Sequence, residues 1–187
     1  MYRQLNMRMI AVVDYDPGWP AAFEWVRSRI WPVVSEVALG VEHVGSTAVP
    51  GLAAKPIIDI SIVVAGEAEL RVAIEGLATL GYVHRGNLGI AGREAFDGPD
   101  EWPAHNLYLC PRDGAGLANH LAVRNYLRAH PGVAAEYGEL KKRLAEEYPH
   151  DIDGYIDGKT DFLMRILRAA GFAQERIEEI ERANRKP

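Results

Sequence analysis

The residues whose types and spacing could do chemistry concentrate in one block, His43 to Ile62, which reads HVGSTAVPGLAAKPIIDISI. Backbone N–H groups in a turn such as Gly45-Ser46-Thr47 can converge on an anion. Glycine lets a phosphate approach closely because it has no Cβ, and the Ser46 hydroxyl adds a rotatable donor. Farther along, Asp59 interrupts an otherwise apolar run. A carboxylate in such a run costs free energy unless it has a partner or a ligand. Residues two apart on a strand share a face, so Asp59 and Ser61 point the same way. A phosphate turn followed by a strand carboxylate implies a nucleotide with Mg²⁺, the metal neutralising phosphate charge and aligning attack. One aspartate can anchor one Mg²⁺ if phosphates and waters fill the other positions, but it cannot easily bridge two.

Other chemistries compete for the same block. A P-loop needs Gly, four residues, then Gly-Lys-Ser/Thr. Here Pro50, Gly51 and Leu52 follow at the deciding positions, and Lys55 comes too late. His105 opens the run His105-Asn106-Leu107-Tyr108 and is a candidate general base, metal ligand or nucleotide contact, against the plainer reading of a strand-end histidine held by the backbone. Glu42 shares a strand face with Ser46 in this reading and is a candidate second carboxylate. A triad of Ser46, His105 and Asp59 lacks the Gly-x-Ser-x-Gly elbow.

A second signal lies in the C-terminal third, where three cations fall on apolar helical stripes. Lys159 follows Tyr155 by four residues on the stripe Ile152, Tyr155, Ile156, Leu163. Arg124 sits among Leu117, Leu121 and Leu127, and Lys141 beside Tyr137, Leu140 and Leu144. A charge turned toward a core is costly unless paired or bound to a ligand. Each cation alone is better explained by snorkelling to solvent or by pairing with a carboxylate. Together they would suit a triphosphate.

The elements that must position these groups follow from periodicity and punctuation. After the turn Asp16-Pro17-Gly18, a helix is expected from about residue 20. Strands are expected over Val41–Ser46, Ile57–Val64, Tyr82–Arg85 and His105–Cys110, with a short strand at Arg93–Phe96 inside a Gly-, Asp- and Pro-rich loop. Glu67–Leu80 reads as a helix closed by Gly81. Helices are expected over Gly116–Ala129, Val133–Tyr148, Ile152–Ala170 and Gln174–Ala183, with Pro131 and Pro149 at the joints. The fold class is therefore α/β (α+β), with a mixed α/β first part and an all-helical second part. We expect a single domain over residues 1–187, with the α/β core over about 9–112 and the helical part over about 115–183.

Bulk properties narrow the partners. The 187 residues are 48% hydrophobic and 25% charged, ordinary for a globular protein. A net charge of −5 argues against general nucleic-acid binding and for a small-molecule acceptor. Cys110 is the only cysteine, which excludes an intrachain disulfide and fits a reducing, cytoplasmic setting. Met1 to Met9 lacks the pattern of a signal peptide, and the apolar run Pro56–Ala65 is too short to span a bilayer, so no membrane association is expected.

The segments quoted resemble the GrpB family. The likeness covers Val13-Asp14-Tyr15-Asp16-Pro17-Gly18-Trp19-Pro20 with Phe23, the block from His43 to Asp59, Arg124-Asn125-Tyr126-Leu127-Arg128, Tyr137 with Leu140-Lys141, and Tyr155 with Lys159. The resemblance implies a nucleotidyltransferase-like fold of the DNA polymerase β superfamily, a mixed sheet with packed helices and a C-terminal helical part. It also points to nucleotide or coenzyme metabolism, because a similar domain is fused to dephospho-CoA kinase in some bacteria. That superfamily carries Gly-Ser, a spacer, then Asp-x-Asp/Glu on a strand, with a third carboxylate on a later strand. Gly45-Ser46 and Asp59 match. Ser61 stands where the second carboxylate belongs, and Asn106 and Tyr108 occupy the later strand.

The leading expectation is a protein that binds ATP or another nucleoside triphosphate with Mg²⁺ and transfers a nucleotidyl group to, or activates, a small molecule. Asp59 would hold the metal, Gly45, Ser46 and Thr47 the phosphate, and His105 would face the acceptor. Lys55, Arg124, Lys141, Tyr155 and Lys159 complete the expected nucleotide contacts. The alternative is a non-catalytic nucleotide- or phosphometabolite-binding module derived from such an enzyme. A weaker one is a hydrolase or acyl transferase using His105 and Ser46.

Overall fold

Alternation along the central strands decides which side of the sheet meets the core. The computed structural model describes residues 9–184. The signal-peptide reading of Met1–Met9 lies, except for Met9, outside those residues. Five strands, β1 (Ala38–Val44), β2 (Ile58–Val64), β3 (Val83–Gly86), β4 (Glu94–Asp97) and β5 (His105–Pro111), form one sheet in the order β1-β2-β5-β4-β3. Only β2 and β5 run parallel; the other pairs are antiparallel. The fold is mixed α/β, as the periodicity implies.

Ile58, Ile60, Ile62 and Val64 of β2 and Leu107 and Leu109 of β5 pack on one side against two helices, α1 (Trp19–Val34) and α2 (Glu67–Thr79). In α1 the buried residues are Trp19, Phe23, Val26, Ile30 and Val34, a single face at three- and four-residue spacing. The other side carries the residues that alternate with these: Asp59 and Ser61 on β2, Asn106 and Tyr108 on β5. That side faces the C-terminal helices α3 (Ala115–Ala129), α4 (Pro131–Glu147) and α5 (Ile152–Ala169), followed by α6 (Gln174–Asn184).

Val49 and Leu52, from the segment between β1 and β2, pack with Leu127 of α3, Ala134 and Tyr137 of α4 and Ile166 of α5. This second core ties the His43–Ile62 block to three helices at once. Pro131 starts α4 rather than breaking a helix, because its missing N–H falls where no intrahelical partner exists. No helix among the described residues is long and apolar enough to cross a membrane.

One expectation is corrected at the key turn. The first strand ends at Val44, not Ser46; Gly45 turns the chain and Ser46–Ala48 form one turn of 3₁₀ helix. Glu42 and Ser46 therefore share no strand face.

Leu109 is fully buried in the sheet core, whereas Leu39 on the edge strand is 51% exposed. Leu109→Ala should cost about 2–5 kcal/mol in urea unfolding. Leu39→Ala should stay within about 0.5 kcal/mol of the parent.

Candidate functional site

The site begins with one backbone conformation. Gly45 has φ 70° and ψ −168°, a region essentially closed to residues with a side chain. A Cβ at this position would also collide with the Asp59 carboxylate. The carboxylate therefore lies directly against the backbone of the turn, brought there by the β1–β2 register that pairs Val44 with Asp59. On its other flank the Asn106 amide donates to Asp59 Oδ1 at 2.8 Å, the two residues being register partners across β2 and β5. Burial raises the Asp59 pKa, opposed by the Asn106 hydrogen bond and then by Lys159, Lys55 and Lys141.

The turn is fixed from behind. His43 stacks on Phe23 with ring centroids 4.8 Å apart, and its Nε2 lies 3.0 Å from the Thr47 hydroxyl. Arg128 of α3 donates to the Ala48 carbonyl at 2.9 Å. Arg124 donates to the His43 carbonyl at 2.9 Å and pairs with Glu42 at 2.7 Å. Thr47 is 1% exposed. Thr47 and Arg124, expected among the phosphate contacts, instead brace the turn, and Glu42 is committed to Arg124.

Two helices deliver the lysines. Lys141 of α4, only 2% exposed, donates to Ser46 Oγ at 2.8 Å and lies 4.6 Å from the Tyr137 ring. Burial, then Lys159, push its pKa down to about 7, with Asp59 opposing. Lys159 of α5 lies 4.9 Å from the ring of Tyr155, and Lys55 lies 5.6 Å from the same ring. Burial, then Lys55, bring Lys159 down to about 8. Tyr155 is thus an aromatic support shared by two ammonium groups, buried beneath them. Among the described residues, none of these three lysines has a carboxylate within ion-pair distance.

Between the sheet and the helices lies a cleft of about 490 Å³. Gly45, Ser46, Asp59, Tyr137 and Lys159 line one end; Arg93, Tyr108, Asn119 and His120 also line it, with Leu88, Val123, Ile156 and Leu163 supplying apolar wall. Lys159 therefore opens onto the same space as the Gly-Ser turn.

His105 does not join this group. It pairs with Ile58, on the strand side opposite Asp59, where its Nε2 lies 2.6 Å from the Tyr82 hydroxyl and its Nδ1 2.6 Å from the Pro103 carbonyl. The alternation that turns Asn106 toward Asp59 turns His105 away, so no Ser46–His105 pair forms and Ser46 bonds Lys141 instead. The histidine on the cleft side is His120, which the sequence reading missed. Its Nδ1 lies 3.1 Å from the hydroxyl of the fully buried Ser61. The signal was there in the helical spacing Gly116, His120, Val123, Leu127, all of which line the cleft. Arg93 follows a loop and had no periodicity to reveal it.

Chemically, this is a Gly-Ser turn with a lone strand carboxylate and an excess of ammonium groups. The described residues contain no group of three or more His, Cys, Asp or Glu that could hold a metal. The donor set fits one Mg²⁺ on Asp59 when phosphate oxygens complete it. It does not fit two, because the residue two positions along the same strand face is Ser61, which is bonded to His120 and offers no second carboxylate.

Two predictions follow from this geometry. Burial, with Arg128 and Arg124 next, holds His43 near a pKa of about 4, and burial then Arg93 do the same for His120. An unfolded histidine titrates near about 6.5, so between that pH and about 4 the unfolded chain binds the extra protons. Stability should be full above about pH 6.5 and fall with acidification, by up to about 1.4 kcal/mol per pH unit per histidine. Urea unfolding across that range checks this, and His43→Gln or His120→Gln should flatten the profile. Gly45→Ala should cost about 1–3 kcal/mol through backbone strain alone. The cost should shrink in an Asp59→Ala background, where the collision with the carboxylate group is gone and only the contact with the Cβ of residue 59 remains, and a double-mutant cycle measures the difference.

The GrpB protein family profile matches residues 9–169. The chain is 35% identical over 156 residues to the UPF0157 protein YqkA of Bacillus subtilis, covering 83% of this chain and 46% of that one, so it spans about half of that relative. It is 27% identical to a dephospho-CoA kinase of Mycolicibacterium paratuberculosis, over 90% of this chain and 47% of the kinase. Among solved structures, the conserved protein GrpB from Enterococcus faecalis superposes with a TM-score of 0.77 at 37% identity, covering 86% of this chain and 96% of that one. Terminal uridylyl transferase 4 from Trypanosoma brucei with bound dUTP superposes at 0.50 with 12% identity, over 90% of this chain and 60% of that one, a likeness of fold alone. With most of its length matched by the family profile and by a GrpB structure, the chain belongs to the GrpB family.

Proposed function

We propose that the cleft binds a nucleoside triphosphate and that the protein uses it to transfer a nucleotidyl group to, or to activate, a small molecule. The observation that carries this reading is the charge imbalance at the turn. Lys55, Lys141 and Lys159 all act on the single Asp59 carboxylate, and none has a carboxylate partner of its own among the described residues. Holding ammonium groups in a buried space is costly without an anion, and a triphosphate supplies several negative charges in the dimensions of such a cleft. Gly45 lets the Asp59 carboxylate sit against the turn, Lys141 orients the Ser46 hydroxyl, and Tyr155 holds Lys55 and Lys159 in reach. The fold-level likeness to a uridylyl transferase with bound dUTP supports the same class of ligand.

Asp59 is the residue that would hold a Mg²⁺, and that ion would supply charge neutralisation at the phosphates. The lysines take over part of that task, which is how a site with one strand carboxylate can still accept a polyphosphate. A small-molecule acceptor agrees with the net charge of −5. Ser61, bonded to His120 where a second carboxylate would stand, favours a second reading: a module that binds the nucleotide without turnover. Release of pyrophosphate from ATP in the presence of a bacterial metabolite extract separates the two, since only the first reading predicts it.

Calorimetry with ATP and Mg²⁺ should show binding that Lys159→Ala weakens about 10- to 100-fold, the scale of a lost charged hydrogen bond. Asp59→Ala should abolish the Mg²⁺ dependence. Bound phosphate restores the protons that burial removes from Lys141 and Lys159, with pKa values of about 7 and about 8. Binding should therefore take up protons and weaken as pH rises from 6.5 to 9, by up to about tenfold per pH unit per lysine. An absence of ATP binding, or a flat pH profile, would contradict the reading.

A further inference from the structure

The sheet order sets two ends to the cleft. The Gly-Ser turn follows β1, Asp59 is on β2, Tyr108 is on β5, and Arg93 immediately precedes β4. The order β1-β2-β5-β4 thus puts Asp59 between the lysine-rich turn and Arg93. Arg93 lines the cleft, and its guanidinium lies 4.6 Å from the Tyr108 ring. Its Nε is buried and has no hydrogen-bond partner. Among the described residues no carboxylate lies within ion-pair distance of it. A buried guanidinium N–H without an acceptor costs free energy and marks a place where an acceptor is missing. Gly116, in the first turn of α3, lines the same space, and the positive end of a helix favours an anion there.

We propose that this end of the cleft is a second subsite, which takes the carboxylate of a small organic acid on Arg93. The inference rests on the nucleotide reading only in assigning the opposite end to the triphosphate. A guanidinium matches a planar carboxylate through two parallel N–H···O bonds, whereas the lysine end offers the clustered point charges that suit phosphates. Leu88 and Ile90 line the cleft too and give the acid an apolar body to rest on, while Asn119 offers an amide to a polar substituent. With Asp59 between the two ends, the acid and the nucleotide would meet across its carboxylate. The subsite therefore names the class of small molecule that the protein acts on: a carboxylic acid with an aliphatic or aromatic body.

The test is a titration of the full chain with hexanoate and with benzoate, followed by ¹H–¹⁵N NMR on the Arg93 Nε–H resonance. The expected result is a saturable shift with a dissociation constant in the millimolar range. Arg93→Gln should raise that constant by about tenfold or more while leaving ATP affinity within about twofold. Arg93→Lys, which keeps the charge but loses the fork, should fall between. Thermal melting establishes that the variants fold, and if neither does, the titration of the unsubstituted protein decides alone. The proposal is overturned if neither acid moves the Arg93 resonance. It is equally overturned if Arg93→Gln weakens ATP as much as the acid, or if inorganic phosphate saturates Arg93 at lower concentration than either acid. If ATP fails to bind while an acid saturates Arg93, the nucleotide reading falls and the carboxylate subsite stands.

Discussion

The contact on which the rest of this structure depends is that of the Asp59 carboxylate against the backbone of Gly45. It requires a residue with no Cβ at a conformation that side chains do not adopt. It requires the β1–β2 register that pairs Val44 with Asp59. It also requires a turn held rigid enough to keep a carboxylate close to backbone rather than in water. The bracing residues meet that last demand: His43 on Thr47 from the strand, Arg128 on Ala48 and Arg124 on His43 from α3. None of them needs to touch a ligand to matter, because each fixes the geometry that a ligand would meet.

Charge is arranged around that contact in an unusual way. In a metal-dependent site several carboxylates concentrate negative charge to hold cations. Here Asp59 is met by lysines from three parts of the chain, two of them seated over Tyr155 and one over Tyr137. The aromatic faces make burial of ammonium groups tolerable without neutralising them. Two residues along the same face of β2, the buried Ser61 meets the half-buried His120, whose imidazole burial keeps uncharged near neutrality, so this pair adds no negative charge beside Asp59. Positive charge is consequently in excess around the single carboxylate.

Much of this was legible in the residues. The Gly-Ser turn and the lone aspartate stand out by type, and Lys141, Lys159 and Tyr155 by their place on helical stripes. The strands, the helices and the helical C-terminal part followed from periodicity, with boundaries off by a few residues, whereas the mixed sheet was implied by the family resemblance. What failed did so for identifiable reasons. His105 and Asn106 are adjacent, and only the cross-strand register, which no local pattern encodes, determines which of them faces Asp59. Thr47 and Arg124 have the right chemistry for phosphate, but their hydrogen bonds run to His43 and Glu42, partners set by tertiary packing. Arg93 follows a loop without periodicity, so its meeting with Tyr108 could be seen only once β4 and β5 were paired.

The central claim is that the buried lysines are kept for an anion. The most direct measurement is the titration of Lys141 and Lys159 by ¹³C NMR of labelled side chains, with and without ATP. In the free protein the account predicts midpoints near pH 7 for Lys141 and pH 8 for Lys159. With ATP bound, both midpoints should move up toward the ordinary lysine value. Midpoints already at that value in the free protein, or unmoved when ATP is added, would contradict it.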